Sequence, residues 1–393
     1  MVGIGTGRPR RAGRWAAAWL TTVLLASCSG APVPGDPAGS GPVPGDRAGS
    51  ASAPAQPLRA GERFVRVTMP EAYTPAPPAG GTDEYRCFLV DPGLPADAFL
   101  TGSQFLPQNT EIVHHAIFFR IDGSAVAAAR ERDDAAPGPG WTCFGDAGVG
   151  GPAVWVASWA PGGNETVLSP DVGFAMPAGS RLVMQVHYSL LTVDPATRPA
   201  DRSGIRLRLT GKRLRPLHTT LLTAPVELPC PPAESGPLCD RAAAVADVAR
   251  RFGAGPAATA GHLLAQCSAG RPVPGSTQHC DHRVQQAGRI HGIGGHMHLL
   301  GRAIRVELNP GTPAARTLLD IDAYDFDDQR LRLQAAPVPV AAGDTLRVTC
   351  THDAELRRQL PQLRSLPPRY VVWGEGTADE MCLGILVGTH DEN

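Results

Sequence analysis

At 393 residues the chain is longer than one hydrophobic core usually organises, so two domains are the starting expectation. Hydrophobic residues at 42% and charged residues at 19% fit a globular protein. A formal net charge of −1 provides no basic stripe to follow a phosphate backbone, which argues against nucleic acid as a partner.

From the start of the chain, Arg8, Arg10, Arg11 and Arg14 precede an apolar run, 15–26, too short to span a bilayer permanently. The run ends at Leu25-Ala26-Ser27-Cys28, which resembles the lipobox of bacterial lipoproteins. Residues 1–28 therefore read as a lipoprotein signal, with lipidation of Cys28 expected to hold the protein on the outer face of the cell membrane. Residues 29–60 are rich in Pro, Gly, Ala and Ser, and segment 32–40 is nearly repeated at 42–50. Such composition buries no core and predicts a disordered tether. With Cys28 lipidated, eight of the nine cysteines remain: Cys87, Cys143, Cys230, Cys239, Cys267, Cys280, Cys350 and Cys382. An even set in an oxidising compartment predicts up to four disulfides, whose pairing the spacing alone leaves open.

Short alternating or apolar runs bounded by Gly, Pro, Asp and Asn follow, at 64–69, 111–121, 153–159, 181–189, 204–210, 302–308, 344–351 and 370–374. They predict an all-β fold of tandem antiparallel β-sandwiches, jelly-roll-like in character. One helix interrupts them at 241–252, with Asp240 as its cap, Val245, Val248, Ala249 and Phe252 on one face, and Gly253 as its stop. It reads as a small insertion in the second sandwich. A boundary near 211–216 gives domains at 61–213 and 214–393.

Three histidine clusters lie in strand-like text: Val113-His114-His115-Ala116, Gln185-Val186-His187-Tyr188, and Gly295-His296-Met297-His298-Leu299-Leu300-Gly301. In the third, the i, i+2 spacing places both imidazoles on one face of a strand, near enough to share a metal ion. Adjacent residues such as His114 and His115 point to opposite faces, so they reach one ion only where the strand is bulged or ends.

Together with the later Asp379-Glu380-Met381-Cys382, these clusters resemble the copper type II, ascorbate-dependent monooxygenases, the family of peptidylglycine α-hydroxylating monooxygenase and dopamine β-monooxygenase, in the family's order and over about residues 60–390. The resemblance implies that His114, His115 and His187 hold one copper, and that His296, His298 and Met381 hold a second that binds dioxygen beside the substrate. A thioether favours Cu(I), and three ligands leave a coordination position open. It further implies an ascorbate-like reductant, a catalytic role for Gln185 near the path between the coppers, and two sites facing each other across a solvent-filled cleft. A Cys350–Cys382 disulfide bracing Met381 is implied too, and Cys87 and Cys143, the only mature cysteines in the first half, pair by default.

Departures bear on substrate. The amidating members place an arginine where this chain has Gly294, and an asparagine and a tyrosine where it has Leu383 and Ile385. A glycine-extended peptide is thus not expected, and Leu300, Leu383 and Ile385 suggest a pocket for an apolar small molecule. His291, just upstream of the third cluster, is a candidate for lining the cleft. Three other classes remain: a copper-binding lipoprotein for storage, delivery or electron transfer, a zinc hydrolase, and a surface adhesion or partner-binding sandwich with satisfied histidines. The second lacks a His-Glu-x-x-His helix, and methionine is a poor zinc ligand.

Overall fold

The computed structural model describes residues 54–78, 81–194 and 196–391. The signal segment, Cys28 and the tether through residue 53 lie outside the described residues. Among the described residues, no helix is long and apolar enough to cross a membrane. The described chain is fastened from Gln56 onward: buried Arg208 donates to the carbonyls of Gln56 and Pro57 at 2.8 and 2.9 Å, and the Gln56 amide donates to Glu165 at 2.6 Å.

The fold is all-β. Up to Pro216, one sheet has the order Glu62–Thr68, Gly204–Thr210, Ala98–Leu106, Val172–Met176 and Arg215–Pro216. A second has the order Trp141–Thr142, Asp83–Val90, Arg181–Ser189, Val113–Ile121 and Ala153–Trp159. All pairings are antiparallel except the short one between Arg215–Pro216 and Val172–Met176. Val67, Leu100 and Leu207 from the first sheet share one core with Phe118, Met184 and Val186 from the second.

From His218 onward, a sheet of His218–Thr223, Leu383–His390, Gly288–His296 and Arg332–Val340 packs on another of Thr277–Arg283, Thr345–His352, Gly301–Leu308 and Arg316–Ile321. Ile293, Ile304, Val306, Val348 and Leu386 fill the core here. Thr345–His352 shows how sequence makes such a layer: its residues alternate strictly, with Leu346, Val348, Cys350 and His352 turned inward.

The expected helix is present at Arg241–Phe252, where the Asp240 side chain accepts from the Ala243 amide at 2.8 Å and Gly253 ends the helix at φ 91°. A second helix, Ala254–Cys267, follows directly. Val248 and Phe252 of the first, with Ala257 and Leu263 of the second, pack on Trp373, Met381 and Leu383. The insertion thus forms the wall behind Met381. Four disulfides join Cys87 to Cys143, Cys230 to Cys239, Cys267 to Cys280 and Cys350 to Cys382.

Candidate metal centre

The strand Val113–Ile121 pairs with Arg181–Ser189 so that Val113 faces Tyr188 and His115 faces His187, which leaves His114 as an extra residue in a bulge. This distortion is what two adjacent histidines need to point the same way. The Nδ1 atoms of His114, His115 and His187 then form a triangle with sides of 3.1, 3.3 and 3.3 Å. Its centre lies about 1.9 Å from each nitrogen, close to the ~2.0 Å of a metal–imidazole bond. Burial, above all, and mutual repulsion among the rings push His114 and His115 well below the usual imidazole range. The rings are therefore neutral and present lone pairs, the form a metal requires.

Partners outside the triangle orient these rings. His187 Nε2 donates to Asp83 Oδ1 at 3.0 Å, and the Tyr85 ring stacks on His187 at 4.1 Å and 6°. Burial opposes ionisation of Asp83, but hydrogen bonding and charge from His187, with the hydroxyls of Thr377 and Thr82, outweigh it and hold the carboxyl well below its ordinary value. A carboxylate behind a ligating histidine fixes its tautomer and raises its basicity. The Phe326 ring stacks on His114 at 4.3 Å and 17°.

The second set is built differently from the sequence expectation. The strand Gly288–His296 ends at His296, so His298 lies beyond it rather than on the same strand face. The strand stops because other groups take the amides that would continue the ladder. Glu380 accepts from the amides of His298 and Leu300 at 2.9 and 2.6 Å, and the Tyr324 hydroxyl bonds both the amide and the carbonyl of Met297 at 2.8 Å. Gly295 is needed here, since a Cβ would meet the Ile304 side chain at 2.8 Å. His296 Nδ1 donates to Gln329 at 2.6 Å and His298 Nδ1 donates to the Asp379 carbonyl at 3.2 Å. Each ring thereby keeps Nε2 for another partner, and the buried Nε2 of His298 has none among the described residues.

Met381 belongs to the same cluster, because its amide shares Glu380 Oε2 with the amide of His298, at 3.3 and 2.9 Å. The disulfide from Cys382 to Cys350 and the pairing of His296 with Leu383 hold the flanks. Behind the loop, Asp379 receives both Arg251 nitrogens at 2.8 and 2.6 Å and Arg369 at 2.9 Å, and both arginines also reach Asp247. Two imidazoles and a thioether form a donor set that suits copper better than zinc or magnesium.

The two sets adjoin. The rings of His115 and His296 lie 5.5 Å apart, edge to face, and His114, His115, His187 and His298 are buried. The loops at 324–329 and 373–382 bring Phe326 against His114, Gln329 against His296 and Thr377 against Asp83. A cavity of about 420 Å³ is lined by His115, His296 and Met381, with Trp155, Trp159, Leu331, Leu383 and Ile385 as its apolar wall. Gly294 stands beside Leu331. Inside the cavity, burial, with the nearby Asp379 charge, raises the Glu375 carboxyl to about 7.

Other expected residues lie elsewhere or have other partners. Leu300 belongs to the core. Buried His291 bonds Thr389 at 3.3 Å and is not among the residues lining the cavity. Gln185 does line the cavity, but its amide donates to the Asp146 carbonyl at 3.0 Å.

No curated protein matches the chain at a significant level. Among solved structures, infectious bursal disease virus strain Gx aligns at 9% identity over 87% of this chain and 76% of that chain, with a TM-score of 0.19. Allantoicase of Saccharomyces cerevisiae aligns at 11% identity over 77% of each chain, with a TM-score of 0.18. Similarity that low carries no argument about fold or function. Residues 275–387, which include His296, His298, Cys350, Met381 and Cys382, match the family model of the copper type II ascorbate-dependent monooxygenase C-terminal domain.

Proposed function

We propose that the protein is a copper monooxygenase, exported and lipid-anchored through Cys28, that hydroxylates a C–H bond of an apolar small molecule. Dioxygen and an ascorbate-like one-electron reductant would be its co-substrates. The observation that carries this reading is the juxtaposition of two unlike donor sets on one apolar cavity: three imidazole nitrogens within 3.3 Å of one another, and two imidazoles beside a thioether residue. A storage or delivery protein has no need of two different sites or of a substrate-sized chamber.

His114, His115 and His187 would hold one copper, and His296, His298 and Met381 the other. When bound, copper would supply one electron at each site and activate dioxygen, so that one oxygen atom enters the product and the other becomes water. This chain's own residues do the rest. Gln329 and the Asp379 carbonyl keep His296 and His298 turned with Nε2 free, while Trp155, Leu331, Leu383 and Ile385 exclude water from the cavity and favour an apolar substrate. The test is oxygen uptake by the copper-loaded, ascorbate-reduced protein against a panel of apolar small molecules, with product mass measured. The expected result is a substrate-dependent uptake and a product heavier by one oxygen atom. Two bound coppers without product from any compound would favour the storage reading.

A further inference from the structure

The loop at 373–382 does more than carry Met381. From it, Thr377 reaches to the other histidine set and donates to Asp83 Oδ1 twice, from its amide at 3.1 Å and from its hydroxyl at 2.5 Å. The same oxygen accepts His187 Nε2 at 3.0 Å, while Asp83 Oδ2 takes the Thr82 hydroxyl at 2.8 Å. Asp83, Thr377 and His187 are 4%, 3% and 0% exposed, so water cannot stand in for a missing donor.

We infer that Thr377 is a positioning residue for the three-histidine site: by holding Asp83 it fixes the rotation and tautomer of the His187 ring, so that Nδ1 faces His114 and His115. The inference rests on the copper reading of that site. Stacking on Tyr85 sets the plane of the His187 ring but not which edge faces which way, since a half-turn about Cβ–Cγ keeps the plane and exchanges the ring edges. The bond to Asp83 opposes that half-turn, and it places the proton on Nε2 and the lone pair on Nδ1. A carboxylate that lost its shortest donor would move toward Thr82 and take His187 with it. One loop therefore serves both sets, orienting His187 through Thr377 and His298 through the Asp379 carbonyl, so the first site is incomplete without the second half of the chain.

The experiment uses the full chain carrying His296→Ala, so that only the three-histidine site is read. Cu(I) affinity is measured by competition with a chromophoric chelator, and the Cu(II) form by electron paramagnetic resonance. Adding Thr377→Val removes the hydroxyl but keeps the backbone donor, and should weaken Cu(I) binding about tenfold and shift the copper spectrum. Thr377→Ser, which keeps the hydroxyl, should restore both. Unchanged affinity and spectrum in Thr377→Val, or failure of Thr377→Ser to restore them, would overturn the inference while leaving the copper reading intact. If the chain with Thr377 unaltered binds no copper at the three histidines, the copper reading falls and the inference falls with it.

Discussion

Replacing Met381 by isoleucine should abolish substrate-coupled oxygen consumption while leaving the protein folded. The residue is buried against Val248, Phe252 and Trp373, and isoleucine has a similar volume, so the packing cost is about 1 kcal/mol. What would disappear is the soft donor proposed for the copper of His296 and His298. Because loss of even an outer partner of a metal ligand costs roughly 10- to 100-fold, loss of a ligand should reduce turnover by more than about 100-fold. The three-histidine site does not use Met381, so ascorbate should still reduce one copper per chain. Steady-state oxygen uptake combined with the optical or magnetic signal of that copper separates the two effects. Full activity in the variant would make Met381 an ordinary core residue and take away the sulfur ligand.

The second large effect concerns stability. Asp379 is buried and neutralises Arg251 and Arg369, which also share Asp247 and join the helix Arg241–Phe252 to the Met381 loop. Asp379→Ala would leave two largely buried guanidinium groups short of a counter-charge. Removing one partner from a buried ion network costs about 3–5 kcal/mol, so the urea midpoint should fall sharply. The exposed pair of Arg330 and Asp328 is the control, and Asp328→Ala there should cost less than about 1 kcal/mol. Equal costs for the two substitutions would mean that the buried network does not hold the loop.

Much of this fold was legible because the deciding interactions are local. Residues 153–159, 181–189 and 204–210 are strands with the expected bounds, and the helix at 241–252 carries its start and stop in Asp240 and Gly253. The strand Asp83–Val90 escaped notice because it is buried on both faces and contains charged residues. Each of these finds a partner far along the chain or in a loop: Asp83 in His187 and Thr377, Glu84 in Tyr73, and Arg86 in the carbonyls of Pro137 and Pro139. Alternation cannot reveal such a strand. The helix Ala254–Cys267 was hidden by Gly255, Pro256 and Gly261, although proline in the first turn is tolerated there. At the site, residue types and order pointed to His114, His115, His187, His296, His298 and Met381. The roles of Asp83, Phe326, Gln329 and Glu380 were not legible, since a carboxylate, amide or aromatic ring gains its role only from a neighbour brought by the fold. The end of the strand at His296 was likewise beyond local reading, because Glu380, from a distant loop, takes the amides of His298 and Leu300.

Two copper sites that differ by one thioether should differ at the copper edge. X-ray absorption at the copper edge of the fully loaded, ascorbate-reduced protein tests this directly. It should show imidazole nitrogens at about 2.0 Å and a sulfur contribution averaging one thioether for every two coppers. A first shell of nitrogen and oxygen alone in the fully loaded protein would contradict the assignment of Met381 and, with it, the division of the six residues into two unlike sites.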